Sequence, residues 1–326
     1  MFNLLKSNQT FVLILIPLII AALWFRTFYI PSAPIHDAGG FTMPLYKLVS
    51  IITGDSKWLT GILGLVLFII QILLIVKLNK DYILIDIRTY LPAIIFILVG
   101  CSFRQVQQFE PVLFANIFIL LAVNKILQSY RDDSLFTNFF DASVLISLGS
   151  LFYFNTIFLF ILVWSGLIIL RQFSMREWLL SVTGLVTPYL FALSFFYIYG
   201  NVPDLFSMIA GNFIFDKSFE IFNLYSLIYL IYLAVLILLS SINIIKKYNK
   251  MKISIRKYYK FLFWMFVYSI VIFFAAPNAS VEILLITAVP VSFVFTNYLV
   301  SIKKESTSSI LLLMLMALIV LLQINI

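Results

Sequence analysis

The sequence predicts an all-α protein that crosses a membrane many times, and three observations support this. Hydrophobic residues make up 63% of the chain and charged residues only 11%, whereas a soluble domain carries about 25% charged residues. Charge-free segments recur along nearly the whole length, each close to the roughly 17–25 residues that cross a hydrocarbon core. Lys and Arg cluster in alternate connections between these segments. We therefore expect a polytopic bundle of about ten or eleven short transmembrane helices.

The expected spans follow the charge-free segments in order. They lie near 10–25, 60–77, 89–103, 110–126, 141–155, 156–170, 179–199, 224–245, 261–276, 280–300 and 308–325. Two alternatives stay open around Asn155, because 142–170 forms either one long broken helix or two half-helices that meet at this polar residue. No small-residue cleavage site follows the first span, which favours an uncleaved signal anchor.

The distribution of basic residues predicts the orientation. Lys and Arg near short loops remain in the cytoplasm, and a cytoplasmic N-terminus places seventeen of the 22 Lys and Arg residues on that side. The largest group is 246–260, which serves mainly as a topology determinant, with specific docking as the alternative. An odd number of spans puts the C-terminus on the outer side of the membrane.

The rare residue types exclude several classes of function. Cys101 and His36 are the only residues of their types, so we expect no disulfide, no metal centre and no cofactor. No Gly-rich phosphate loop is present, which argues against nucleotide hydrolysis. The net charge of +8 comes mainly from one juxtamembrane cluster, so we expect membrane lipids as its partners and no nucleic acid.

The first connection outside the membrane is the most informative stretch. Pro31, Pro34 and the Gly39-Gly40 pair exclude a continuous helix, and His36 and Asp37 lie between them. The segment 43–52 then places Leu45, Leu48, Val49 and Ile52 at helical spacing with Lys47 opposite, which predicts a helix lying in the membrane interface. Asp37 could act as a general base in a pocket for a lipid-linked substrate; the alternative is an ordinary polar loop.

Two further groups could bind a substrate. The connection 102–110 is dense in hydrogen-bonding side chains, and in it Arg104 could hold a phosphate while Glu110 begins a helix. Glu282 lies within the first turn of a predicted span, where it is either a functional intramembrane acid or a helix-terminal residue that reaches the interface. Arg104 is a candidate partner of Glu282. The alternative for the first group is a helix cap with a solvated loop.

Several stretches resemble an uncharacterised family of Bacteroidetes inner-membrane proteins. The resemblance covers most of the chain and implies a bacterial inner membrane without implying an activity. The stretches that carry it are Phe114-Ala-Asn-Ile-Phe-Ile-Leu-Leu-Ala, Phe140-Asp-Ala-Ser, Leu148-Gly-Ser-Leu-Phe-Tyr-Phe and Arg171-Gln-Phe-Ser-Met-Arg-Glu-Trp-Leu with Gly184 and Pro188.

The order of features is also distantly similar to the GT-C class of membrane glycosyltransferases, which use polyprenyl-phosphate sugars at the outer face. In that class an Arg ends the first helix, and a loop with a catalytic acid and an interfacial helix follow; Arg26, Asp37 and 43–52 occupy these places. The resemblance implies a single transmembrane domain, with 1–200 as the core module and 201–326 as C-terminal helices. This chain departs from the class in having one acid in the first loop and no Arg-Tyr pair before the late helix.

The leading hypothesis is an inner-membrane protein with a GT-C-like scaffold that transfers a sugar from a polyprenyl-phosphate donor. Asp37 would be the catalytic base, and His36, Arg104, Glu110 and Glu282 would bind the substrate. The first alternative is a non-catalytic subunit that scaffolds other envelope proteins. The second is a transporter, for which inverted repeats and paired intramembrane charges are expected; the sequence shows no convincing internal repeat.

Overall fold

The architecture is an all-helical bundle in the part of the chain that the structure, a computed structural model, describes. The described residues are 16–24, 42–54, 56–130, 137–171, 173–213, 223–276 and 280–325. The helices are α1 (16–24), α2 (Pro44–Thr53), α3 (Lys57–Tyr82), α4 (Leu91–Gly100), α5 (Pro111–Gln128), α6 (Asn138–Ser150), α7 (Ile161–Leu170), α8 (Met175–Ile198), α9 (Val202–Gly211), α10 (Leu224–Lys247), α11 (Ile253–Ala275), α12 (Ile283–Ser301) and α13 (Glu305–Asn325).

The long helices agree with a polytopic membrane protein. Within the described residues, seven helices are long and apolar enough to cross a membrane: α3, α5, α8, α10, α11, α12 and α13. The prediction of a multi-pass helical membrane protein is confirmed at this level. The four other expected spans, 10–25, 89–103, 141–155 and 156–170, correspond to helices that are shorter or only partly described.

The short helices are tolerated because protein surrounds them. α4 and α6 contain 10 and 13 residues, which makes them about 15 and 20 Å long, against a hydrocarbon core of roughly 30 Å. All ten residues of α4 are buried, and its main neighbours are α12 and α3. Non-helical backbone at membrane depth is acceptable where protein or a water-filled cavity covers it.

The predicted break at Asn155 is present. α6 ends at Ser150, a turn follows, and a 3-10 helix at Phe154–Phe160 leads directly into α7. Asn155 is buried, with 3% of its surface exposed. The stretch 138–170 is therefore a pair of half-helices that turn at a polar residue inside the protein.

Hydrogen bonds between helices fix the pairing of α3 with α5. The Gln71 side chain donates to the Leu113 carbonyl oxygen (2.9 Å) and accepts a hydrogen bond from Asn116 Nδ2 (2.8 Å). Both polar side chains are fully buried. Such contacts hold helices together where lipid supplies no hydrophobic driving force between them.

Gly184 allows α8 to approach α6 closely. A Cβ atom at this position would lie 2.6 Å from the Phe140 carbonyl oxygen and 3.0 Å from Ser143 Cβ. The Ser147 hydroxyl then donates to the Leu185 carbonyl oxygen at 2.7 Å. Small residues at such crossings let two backbones come together in membrane bundles.

The connections separate into two groups, which define two ends of the molecule. The basic end contains 83–90, 247–252 and 301–304, where the Tyr259 hydroxyl donates to the Leu84 carbonyl oxygen at 2.8 Å. The glutamate end contains 101–110, 151–153 and 280–282, and there Gln323 Nε2 of α13 donates to the Cys101 carbonyl oxygen at 2.9 Å. This grouping follows the alternation of basic and non-basic connections in the sequence.

Candidate functional site

Two carboxylates are buried at the glutamate end. Glu110 and Glu282 each have 0% of their surface exposed, and they are the residues directly before α5 and α12. Glu110 and Glu282 occupy the N-cap positions of these helices, but neither side chain forms a capping hydrogen bond to its own helix. Burying an acid in a membrane protein is costly, which makes such residues candidates for function.

Tyr153 lies near both of these acids. Its hydroxyl lies within electrostatic range of both Glu282 and Glu110, and it hydrogen-bonds to the backbone of Ser280. Asn155 Nδ2 also donates to this hydroxyl at 3.2 Å. We call Glu110, Glu282, Tyr153 and Asn155 the glutamate cluster. The helix break supplies two members, and the residues before α5 and α12 supply the other two.

Arg104 lies in the same connection as Glu110. It begins the 3-10 helix Arg104–Gln107 between α4 and α5, and its side chain is half-buried. In the same turn the Gln107 side chain donates to the Cys101 carbonyl oxygen at 2.8 Å. The arginine is therefore held on a short, ordered turn at the glutamate end. Its pairing with Glu282 stays a prediction.

His36 and Asp37 lie outside the described residues. Their predicted roles, substrate binding and general base, therefore stay predictions. Within the described ranges, no three His, Cys, Asp or Glu side chains gather as a metal site would require.

The predicted helix after the first span is present as α2, over Pro44–Thr53. Pro44 and Tyr46 face the protein, and the Tyr46 hydroxyl donates to the Phe109 carbonyl oxygen at 2.9 Å, beside Glu110. Ile51 and Ile52 are exposed, at 69% and 80%. An amphipathic helix with exposed apolar residues suits contact with lipid.

A groove opens between α2, α6, α8 and α9. Its volume is about 600 Å³. Most of its wall is apolar, and the polar exceptions include Lys47, Asn201 and Asp204. The residues that line it are Pro44, Leu45, Lys47, Leu48, Ile51, Val144, Leu148, Leu151, Thr187, Pro188, Phe191, Ala192, Phe195, Phe196, Asn201, Asp204 and Met208. Lys47 therefore shares this wall with Leu48 and Ile51, and it does not simply lie opposite the apolar residues of α2.

The groove and the glutamate cluster are neighbours. The Leu45 backbone N–H donates to the Leu151 carbonyl oxygen at 3.2 Å, which joins α2 to the helix break. Leu151 lines the groove, and Tyr153 of the glutamate cluster follows two residues later. Residues 151–153 thus contribute both to the apolar wall of the groove and to the glutamate cluster.

The sequence analysis missed two parts of this site. It gave no functional role to Tyr153, whose hydroxyl accepts a hydrogen bond from Asn155 and lies near both acids of the glutamate cluster. The nearby polar break at Asn155 was the signal that could have identified it. The groove was not predicted, because its walls come from four helices that are distant in sequence.

Comparison with known proteins assigns the chain to a family. No curated protein and no solved structure is detectably similar to it. Residues 45–326 match the model of a family described as "Family of unknown function (DUF6427)". Except for Pro44, the match contains all of α2 and of the groove lining; it also contains the glutamate cluster, and it begins after His36 and Asp37. Since it covers most of the chain, this protein belongs to the DUF6427 family of unknown function.

Proposed function

We propose that the protein binds a lipid-linked substrate of the polyprenyl-phosphate sugar class at the glutamate end and transfers its sugar to an acceptor. One observation carries the proposal: an apolar groove of about 600 Å³ lies beside buried carboxylates. A lipid-linked sugar needs these two environments next to each other, because its tail belongs in hydrocarbon and its head in a polar site.

The groove supports binding of the lipid tail. Leu148, Phe191 and Phe195 are among its apolar walls, and Phe191 is 73% exposed on the protein surface. Apolar pockets with a few polar groups are the usual form of a small-molecule site. A chain entering between α2 and α8 would exchange contacts with membrane lipid for contacts with these side chains.

Two cations are available for the phosphate. Lys47 lies on the groove wall, and Arg104 lies on the ordered turn before Glu110. The planar guanidinium of arginine suits bidentate binding of a phosphate, whereas lysine acts as a point charge. Arg104 belongs to the connection 101–110 itself, and α2, which carries Lys47, contacts that connection through the Tyr46–Phe109 hydrogen bond.

The carboxylates support the transfer chemistry. In this reaction the acceptor oxygen attacks the anomeric carbon, the bond between that carbon and the phosphate oxygen breaks, and a base takes the acceptor proton. Asp37 is the base that the sequence predicts, and Glu110 and Glu282 would position the sugar and balance charge. A carboxylate placed for proton transfer typically contributes about 10²–10⁴-fold in rate.

A groove-filling variant tests the proposal. Ala192→Trp places an indole in the groove, whereas Leu193→Trp adds the same ring one residue away, outside the lining. Both proteins are reconstituted with a polyprenyl-phosphate sugar, and binding and sugar release are measured. We expect Ala192→Trp to abolish both and Leu193→Trp to preserve them. Equal binding by the two variants would overturn the proposed lipid site.

The base assignment has its own test. A deletion strain is complemented with wild type or with Asp37→Asn at matched protein levels, and its envelope glycans are compared. We expect only wild type to restore a missing glycan. Equal restoration by both proteins would remove Asp37 from the mechanism and would support the non-catalytic subunit.

A further inference from the structure

A second cavity lies at the basic end, far from the groove in the fold. Its volume is about 430 Å³, and it lies between the connection after α3, the connection between α10 and α11, and the last turn of α12. Its lining combines four apolar residues with six polar or charged ones: Ile85, Met251, Ile255 and Val300, and Asp86, Lys247, Lys250, Lys252, Asn297 and Ser301.

Hydrogen bonds hold the walls of this cavity in place. Asn297, which is 8% exposed, donates to the Tyr259 hydroxyl at 2.8 Å, and that hydroxyl donates to the Leu84 carbonyl oxygen at 2.8 Å. On the other side Asn243 of α10 donates to Ser301 Oγ at 2.7 Å. These two sets of bonds join α10, α11, α12 and the connection after α3, so the cavity is formed before any ligand enters.

The charge in this cavity is strongly unbalanced. Three lysines, Lys247, Lys250 and Lys252, face one carboxylate, Asp86. In the part of the chain that the structure describes, none of these lysines forms an ion pair. Two neighbouring cationic side chains contact aromatic rings instead: Arg256 lies over the Tyr248 ring and Lys257 over the Tyr130 ring.

We propose that this cavity, here named the lysine pocket, binds the phosphate headgroup of an anionic phospholipid. The three lysines supply the positive charge for a phosphodiester. Ile85, Met251, Ile255 and Val300 supply an apolar wall for the start of the acyl chains. Basic pockets between transmembrane helices are known to bind anionic lipid headgroups. The mixed lining favours a lipid over a free anion, because inorganic phosphate gains nothing from the apolar wall.

The test measures the thermal stability of the purified full-length protein in neutral detergent. Wild type is titrated with phosphatidylglycerol, phosphatidylcholine or inorganic phosphate. A ligand that binds the folded state raises the melting temperature by mass action. We expect phosphatidylglycerol to raise it and the other two to have little effect. Equal stabilisation by inorganic phosphate or by phosphatidylcholine would overturn the proposal.

Two triple variants with the same loss of charge separate the pocket from the general surface potential. One carries Lys247→Gln, Lys250→Gln and Lys252→Gln; the other carries Lys246→Gln, Lys303→Gln and Lys304→Gln, which do not line the pocket. We expect the pocket variant to weaken phosphatidylglycerol binding about tenfold or more, and the control to weaken it less than about threefold. Equal weakening in the two variants would overturn the proposal.

A filling variant tests the same pocket without changing its charge. Val300→Trp keeps all three lysines and fills space along the apolar wall. We expect it to lose stabilisation by phosphatidylglycerol while its folding, followed by its melting temperature without lipid, is retained. If the variant folds and binds the lipid as wild type does, the headgroup does not occupy this cavity.

Discussion

The two ends of the molecule hold most of their charges differently, although the basic end also buries one acid, Glu177, which lies 3.8 Å from Arg171. At the basic end the lysines of the lysine pocket are accessible, and Lys250 and Lys252 are exposed. At the glutamate end Glu110 and Glu282 have no exposed surface. An exposed charge costs little and serves orientation or lipid contact. Burying a carboxylate costs free energy, so such a residue is expected to have a partner that stabilises its charge or a functional role.

The helix lengths explain how this difference arises. α4 and α6, which both end at the glutamate end, contain only 10 and 13 residues, and the connections at that end carry buried polar side chains. The short helices therefore make room for a polar cluster within protein, as the half-helices of other membrane proteins do. At the basic end the connection 83–90 also has buried residues, such as Leu84 and Ile85, but the lysines of 247–252 stay partly or fully exposed.

The difference between the two ends is tested most directly by a substitution at Glu282. Glu282→Gln keeps the size of the side chain and removes its charge, so we expect the rate of sugar transfer to fall about 100-fold. The matched control, Glu305→Gln, changes an exposed acid at the start of α13 near the basic end and should leave the rate unchanged. Rates are measured at equal amounts of folded protein. A Glu282→Gln protein as active as wild type would remove the cluster from catalysis.

The close contact between α6 and α8, two of the helices that form the groove, gives the next largest effect. Gly184→Leu would place side-chain atoms where Phe140 and Ser143 already lie, so we expect a loss of about 1–3 kcal/mol in stability. Thr183→Leu, one residue away on an exposed position, should stay within about 0.5 kcal/mol of wild type. Thermal unfolding in detergent measures both. Similar stability of the two variants would show that α6 and α8 do not meet at Gly184.

Tyr153 offers a smaller change within the glutamate cluster. Tyr153→Phe keeps the ring and removes the hydroxyl that Asn155 and the Ser280 backbone contact, so we expect a loss of about 1 kcal/mol. Tyr197→Phe serves as the control, because Tyr197 is 74% exposed. If the two substitutions change the melting temperature equally, the Tyr153 hydroxyl does not join the helix break to the acids.

The smallest effect is expected at the ion pair near the basic end. Lys125 Nζ lies 2.8 Å from Asp141 Oδ2, but both side chains are more than one third exposed. Asp141→Asn should therefore cost about 0.5 kcal/mol or less. The difference should shrink further as salt is added, because exposed pairs are screened. If thermal unfolding shows a large loss of stability that does not depend on salt, the basic end also depends on this ion pair for its stability.

Sequence patterns predicted the parts of this account that depend on local chemistry. The helix after the first span, the break at Asn155 and the polar positions of Glu110 and Glu282 all follow from single segments. That both acids lie near Tyr153 depends on how α5, α12 and the helix break are brought together in the bundle, which no local pattern encodes. The same holds for the groove and for the lysine pocket, whose walls come from several separate segments. The sequence did not separate short helices such as α4 from the seven long ones, because apolar character alone does not distinguish a helix buried in protein from one in lipid.

The most direct test of the central claim is photo-crosslinking from the groove wall. A photoreactive phenylalanine replaces either Phe191, which lines the groove, or Leu190, which is exposed beside it. Membranes containing a polyprenyl-phosphate sugar are irradiated, and the crosslinked lipids are identified by mass spectrometry. The account predicts that the photoreactive residue at position 191 captures the polyprenyl lipid. The same residue at position 190 is predicted to capture bulk phospholipid. The same lipid spectrum at both positions would contradict the account.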